Sequence, residues 1–216
     1  MFIGHFALGF GAKSVAPKVS LGSLFLAAQF IDLLWPTLLL LGVERVRIAP
    51  GATAVTPLFF EHYPVSHSLF AVIGWAILVS GVYLFGRKEA RGALILALLV
   101  ISHWLLDALV HRPDLPLFPG SQTLIGLNLW SSLPITLAIE VPLFALGVWL
   151  YARVTRPRDA TGKWALWALV AFLLATYAAN LFGPPPPSVT AIAWAGQLQW
   201  LLVVWGYWID RHRAPV

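Results

Sequence analysis

Ala93-Leu-Ile-Leu-Ala-Leu-Leu-Val-Ile-Ser-His103-Trp-Leu-Leu-Asp107-Ala-Leu-Val-His111 is an apolar run with three ionisable side chains set into its second half. At ~1.5 Å per residue such a run crosses the ~30 Å hydrocarbon core of a bilayer as one helix. His103, Asp107 and His111 then stand at i, i+4 and i+8, on one face. An ionisable group at the centre of a membrane costs roughly 2.5–3.5 kcal/mol on insertion scales, so it is a functional candidate by default. One polar side chain is explained by a hydrogen bond to a neighbouring helix, worth only about 0.6 kcal/mol on average. Three on one stripe exceed that explanation. Two imidazoles flanking a carboxylate are metal-ligand types, and a carboxylate between them is placed to bridge two ions.

The rest of the chain has the same character. It is 59% hydrophobic and 11% charged, with mean hydropathy +0.81, whereas soluble domains carry about 25% charged residues. Apolar stretches long enough to span are expected at 21–42, 66–85, 91–110, 133–152, 163–182 and 190–209. The reading is therefore all-α: a polytopic membrane helix bundle of six transmembrane helices plus a short N-terminal half-helix, forming one integral-membrane domain over residues 1–216. The half-helix, residues 2–13, reaches only ~18 Å, and Gly9 and Gly11 would permit its close approach to the bundle. Ser14-Val15-Ala16 loosely resembles a signal-peptide cleavage site. No positive charge precedes the apolar run, however, so the segment is read as retained.

Charge and cysteine usage exclude several classes. The net charge of +5 comes from loop residues that form no stripe, so no nucleic-acid partner is expected. The absence of cysteine removes thiolate nucleophiles, disulfides and cysteine-ligated zinc or iron–sulfur sites. Any metal must be held by imidazole and carboxylate, which suits zinc, manganese, iron or magnesium.

Basic residues set the orientation. Lys13, Lys18, Arg87, Lys88, Arg91, Arg153, Arg156, Arg158, Lys163, Arg211 and Arg213 fall in loops on one side, and only Arg45, Arg47 and Arg112 on the other. The positive-inside rule makes the first side, with the C-terminus, cytoplasmic. His103, Asp32 and Glu140 then all lie ~16–18 Å from that face at helical rise, in the outer half of the bundle. His5 is brought near them by the half-helix, and His62 and His67 stand at the outer entrance of the second full helix. The long loops 42–64 and 112–132 read as interfacial covers over this mouth, with Phe59, Phe60, Tyr63 and Trp130 at headgroup depth.

Each candidate also has a plainer reading. In His62-Tyr63-Pro64-Val65-Ser66-His67, Ser66 would be a helix cap and both histidines interfacial polar residues; beside the first cluster, ligation is favoured, with His67 the safer choice. Asp32 would take up a proton if left unpaired in an apolar helix, so it needs a metal or a histidine to stay ionised. Glu140 is a ligand, a general base or the partner of a protonated histidine. His212, in Asp210-Arg211-His212-Arg213, reads as a solvated tail on the wrong side.

Gly4-His5, Asp32 ahead of a proline, His62-x4-His67-Ser68 and Ser102-His103-x3-Asp107 together resemble a bacterial family of membrane-bound metal-dependent hydrolases, some of them under control of the SOS repressor. The resemblance covers about the first two-thirds of the chain. That family is in turn distantly similar to zinc-dependent phospholipase C and the related single-strand nucleases. The resemblance implies a zinc-like centre of two or more divalent ions, with Asp107 as the bridge and His111 and Glu140 as later ligands. This chain has Tyr63-Pro64 where the family often has Arg-Gly, and Leu33-Leu34 where a second acidic residue is often found. The expected set is thus His5, Asp32, His62, His67, His103, Asp107, His111 and Glu140 for metal, with Asp107 and Glu140 catalytic. The expected activity is hydrolysis of a phosphoester in a lipid or other amphiphile, in the bacterial cytoplasmic membrane. Two alternatives stand beside it: a metal-ion or proton transporter, and a protein that uses metal only to lock its helices.

Overall fold

A computed structural model describes all 216 residues. The chain begins with α1 (Phe2–Ala12), buried along nearly its whole length. Next come α2 (Leu21–Ala28) and α3 (Phe30–Leu40), then an antiparallel hairpin of β1 (Arg45–Ile48) and β2 (Leu58–His62). A single turn, α4 (Pro64–His67), precedes the long helices α5 (Leu69–Arg87) and α6 (Ala90–Val110). After α6, β3 (Leu115–Pro116) pairs with β4 (Leu124–Ile125), and α7 (Leu133–Val154), β5 (Thr155–Pro157) and α8 (Ala160–Phe182) follow. The chain closes with α9 (Val189–Gln197), α10 (Gln199–Arg211) and β6 (Arg213–Pro215), which pairs with β5.

Five segments are long and apolar enough to cross a membrane: α5, α6, α7, α8 and the α9–α10 pair; α2 with α3 makes a sixth only as a broken span. Their outward faces are apolar. On α5 alone, Phe70, Ile77, Val82 and Phe85 are each at least 66% exposed, a surface a water-soluble monomer rarely presents. The all-α membrane bundle is therefore the architecture, and the span limits agree with those expected to within a few residues.

Two features differ from expectation. The span foreseen over 21–42 is not one helix, because the axis turns by 56° at Gln29, between α2 and α3. The turn releases the Ala28 carbonyl, which a continuous helix would bond to the amide four residues on. Pro36 inside α3 likewise brings no N–H to the Asp32 carbonyl. The C-terminus, expected as a solvated tail, is docked instead: β6 lies along β5 and the Arg213 guanidinium donates to the Thr155 and Gly162 carbonyls and to Thr155 Oγ1. His212 Nδ1 lies 2.7 Å from Asp159 Oδ2.

Two apolar cores meet along α1 and α2. One joins α2, α3, α5 and α6 through Ile31, Val72 and Val100. The other joins α1, α7, α8 and α10 through Phe6, Phe10, Phe144 and Leu169. Phe10 is the pin of the second core, with edge contacts to Phe25 at 4.8 Å and Tyr151 at 5.5 Å. Gly147 on α7 has no side chain where the Ala7 backbone passes, so α1 lies closer to α7 than any Cβ would permit. At the basic end, Lys13 is buried and reaches Asp210 Oδ2 at 2.5 Å, while Asp210 also accepts from Tyr151 and the Leu21 amide. Lys13, counted in the sequence only as a loop charge, is thus a buried ion-pair partner.

Candidate metal centre

The helix stripe on α6 sits where the two cores join. Asp107 is 2% exposed and His103 is fully buried. Around the Asp107 carboxylate stand four imidazole Nε2 atoms from three chain segments, α1, α4 and α6 with its C-cap. His5 on α1 is 3.1 Å from Oδ1 and His103 is 3.1 Å from Oδ2. His67 on α4 is 3.8 Å from Oδ2, and His111, which caps α6, is 4.0 Å from Oδ1. The Met1 amino group lies 2.6 Å from Oδ1. Asp32 supplies a second carboxylate, with Oδ1 3.6 Å from both the His67 and the His103 Nε2 atoms. The rings of His5 and His103 stack at 3.6 Å, tilted by only 3°.

The outer nitrogens explain why the inner ones converge. His103 Nδ1 is 2.8 Å from the Ala28 carbonyl, which only accepts, so this nitrogen carries the proton. That carbonyl is the one freed by the turn at Gln29. Ser66 donates to Glu44 Oε2 at 2.6 Å and so receives from His67 Nδ1, also at 2.6 Å. His111 Nδ1 is 3.0 Å from Asp114 Oδ1. With Nδ1 tethered in His67, His103 and His111, the neutral tautomer of these three rings turns a bare Nε2 lone pair toward the central carboxylate. The Met1 ammonium offsets charge at Asp107 Oδ1; the His67 and His103 lone pairs facing Asp107 Oδ2 and Asp32 Oδ1 repel, and a further cation among them would remove that repulsion. Tethering of the far ring nitrogen to a carbonyl or carboxylate is also the usual outer arrangement of metal-ligating histidines.

Distances test whether such a group fits. Contacts of 3.6 Å and beyond are too long for hydrogen bonds. Two ligand atoms each ~2.1 Å from one tetrahedral ion lie ~3.4 Å apart, close to the 3.6 Å separations at Asp32. Two triads have all their ligand atoms within 4.8 Å of one another: His5, His103 and Asp107, and Asp32, His67 and His103. His103 Nε2 and His5 Nδ1 are buried without a hydrogen-bond partner. The residues present fit divalent metal, and His103 is common to both triads.

Asp32 is the most open member, its side chain 27% exposed. Glu140 on α7 is 1% exposed and neither carboxylate oxygen completes a hydrogen bond, although the Ile3 and Gly4 amides lie beside it. It belongs to neither triad. His62 is exposed at the end of β2, opposite Arg45 in the ladder, and has no contact with the cluster; the strand turns it away. Sequence reading passed over Glu44 and Asp114, both of which orient ligands. Glu44 is 1% exposed and accepts from the Val65 and Ser66 amides as well as from Ser66 Oγ. Ser66, expected as a cap, serves this chain of bonds, and Ser68 caps α5 instead. Burial alone would raise the Asp114 carboxyl, but hydrogen bonds from His111, Tyr63 and Arg112 outweigh it and hold it below the usual carboxylate range. Tyr63, buried and facing Asp114, is pushed well above the usual phenol value, so it stays a donor.

No family model, curated protein or solved structure matches the chain.

Proposed function

We propose that this is a membrane-embedded, metal-dependent hydrolase of phosphoesters, with an amphiphile such as a lipid as substrate. The convergence of Nε2 atoms on Asp107, with Nδ1 of His67, His103 and His111 each tethered behind, carries this reading. His5, His67, His103, Asp32 and Asp107 would hold two or more zinc-like ions, with His111 at the rim. Such ions, when bound, lower the pKa of a water to about 7 and offset charge on phosphate oxygens. The chain's own residues do the rest. Ala28, Ser66 with Glu44, and Asp114 fix ring orientation. Glu140, buried with both oxygens unengaged, is the group free to take a proton. Trp35 and Phe60, ring to ring at 5.6 Å, form an apolar wall beside His67 and His111 that limits water.

The eleven basic residues lie at the end of the bundle opposite the cluster, and Arg45, Arg47 and Arg112 lie at its own end. By the positive-inside rule the site belongs to the outer half of a bacterial cytoplasmic membrane, where phosphate headgroups of that leaflet are within reach. Resemblance to the membrane-bound hydrolases points the same way. The test is metal analysis of purified protein followed by chelator-sensitive turnover of phospholipid or isoprenoid phosphate in liposomes. We expect bound zinc-like metal and activity lost in His103→Ala. Metal-free protein, or metal transport across liposomes without hydrolysis, would remove the proposal.

A further inference from the structure

Below the metal cluster, α6 and α7 do not meet; α1 lies between them and, being short and rich in small residues, leaves a groove. Its floor is Ala7, Gly11 and Ala12 of α1, and its walls include Leu98 and Leu99 of α6 and Leu146 and Leu150 of α7. The volume is about 330 Å³. Leu98 and Leu146, about half exposed, form the rim that faces outward within the spanning part of the bundle. One end of the groove is at Ser102, next in sequence to His103, and at Leu143, about one turn from Glu140. The other is at Ser14 and Val15, beside the basic end.

The shape and chemistry of the groove select its occupant. Seven residue rises of wall, from Ile95 to Ser102 or from Leu143 to Leu150, give a length of ~10 Å. At ~10 Å the groove spans fewer than two turns of an α-helix, so a membrane-spanning partner helix would overrun both its ends. The polar side chains at its two ends are already engaged: Ser102 Oγ donates to the Leu99 carbonyl and Ser14 Oγ to the Gly11 carbonyl. No lining residue has a buried, unpartnered polar side-chain atom, so the groove offers nothing to an ion or a water file. An unbranched hydrocarbon chain fits both constraints, and the bilayer supplies it.

We infer that this groove holds one alkyl chain of the lipid whose polar end is turned over at the metal cluster. The inference rests on the hydrolase reading for the substrate role and on the groove alone for the binding. Since the bilayer is as apolar as Leu98 or Leu146, the groove gains little transfer free energy from the chain. It acts by position, holding the chain with its polar end near His103 and Glu140. A lipid of the outer leaflet has the matching direction, head outward and chain inward; at helical rise from Arg91 the groove lies ~6–17 Å from the basic face, so it takes the distal part of the chain, at and past the midplane.

Two measurements separate this inference from the activity on which it builds. A phosphatidylglycerol with a photoreactive diazirine at the end of one acyl chain is irradiated with the wild-type protein in liposomes, and the cross-linked residues are mapped. Adducts should be enriched severalfold at Gly11, Leu98 and Leu146 over the lipid-facing positions Ile77, Val82 and Phe85. Equal labelling everywhere would mean bulk lipid only and would overturn the inference. In the second measurement, Leu98→Trp and Leu146→Trp narrow the groove from its rim without touching a ligand. Each should lower turnover of long-chain lipid at least tenfold while leaving metal content and turnover of a water-soluble short-chain phosphodiester near wild type. Unchanged long-chain turnover, or an equal loss on both substrates, would overturn the substrate role. If the wild type hydrolyses neither compound, the hydrolase reading fails and cross-linking alone decides the groove.

Discussion

Glu44→Gln separates metal-site orientation from stability, because Glu44 touches no metal-facing atom. Its Oε1 accepts from the Val65 and Ser66 amides at 2.9 and 2.8 Å, and its Oε2 takes the Ser66 hydroxyl proton at 2.6 Å. That last bond forces Ser66 Oγ to accept from His67 Nδ1, which leaves Nε2 bare. A glutamine keeps one carbonyl oxygen for the two amides but presents an NH2 to Ser66. The hydroxyl proton is then free to turn to His67 Nδ1, and the ring proton moves to Nε2, where it blocks a ligand position. Outer-sphere changes of this kind cost about 10–100-fold in metal affinity, or about 1.4–2.8 kcal/mol. Thermal stability should stay near wild type. Glu44→Ala removes the acceptor entirely and leaves the buried Ser66 amide unsatisfied at about 1–3 kcal/mol, and the partly buried Val65 amide with it, so it should lose both stability and metal. Zinc affinity is read by competition with a chromophoric chelator in detergent, and stability by thermal unfolding of the metal-free proteins. Wild-type zinc affinity in Glu44→Gln would refute the tautomer argument.

Asp107→Ala should lose more metal than any other single change, since its carboxylate faces four imidazoles; His212→Ala, docked on Asp159 far from the cluster, should lose none by elemental analysis. Asp210→Ala strands the buried Lys13 ammonium, and breaking such a pair costs about 3–5 kcal/mol; unfolding should shift accordingly while zinc content per folded protein is kept. The chain has no cysteine, so Gln122→Cys and Val216→Cys report sidedness directly. The first should react with an impermeant maleimide from outside the cell and the second only after lysis; the reverse pattern would invert the orientation. The Asp159 carboxyl is held below its ordinary 3.8 first by the His212 hydrogen bond and then by the Gly162 amide. A depressed value favours the docked form above pH 3.8, and that contribution disappears as pH falls through the lower, folded value. A fluorophore on Val216→Cys should therefore report release of β6 only on strong acidification, and Asp159→Asn should abolish this acid step.

The sequence by itself determined what local periodicity controls. Apolar runs of bilayer length gave the helices of the bundle, and the i, i+4, i+8 spacing placed His103, Asp107 and His111 on one face whatever the helix packed against. The interruption of residues 21–42 was not legible, since Gln29 is an ordinary helix former and the run on either side is apolar. Only the tertiary structure decided which long-range partners complete the site. His5 and Asp107 are 102 positions apart, His103 and the Ala28 carbonyl 75, and Ser66 and Glu44 22. No periodicity relates such pairs. The sequence favoured His67 over His62, but the exclusion of His62 was of the same kind, because one residue of strand direction or one turn of helix carries a side chain out of the cluster or into it. A turn at one residue redirected α3, freed the Ala28 carbonyl for His103, and brought Asp32 to the same cluster. Such a turn is set by how α2 and α3 meet the rest of the bundle, an energy that belongs to surfaces in contact and is written in no single stretch of the chain.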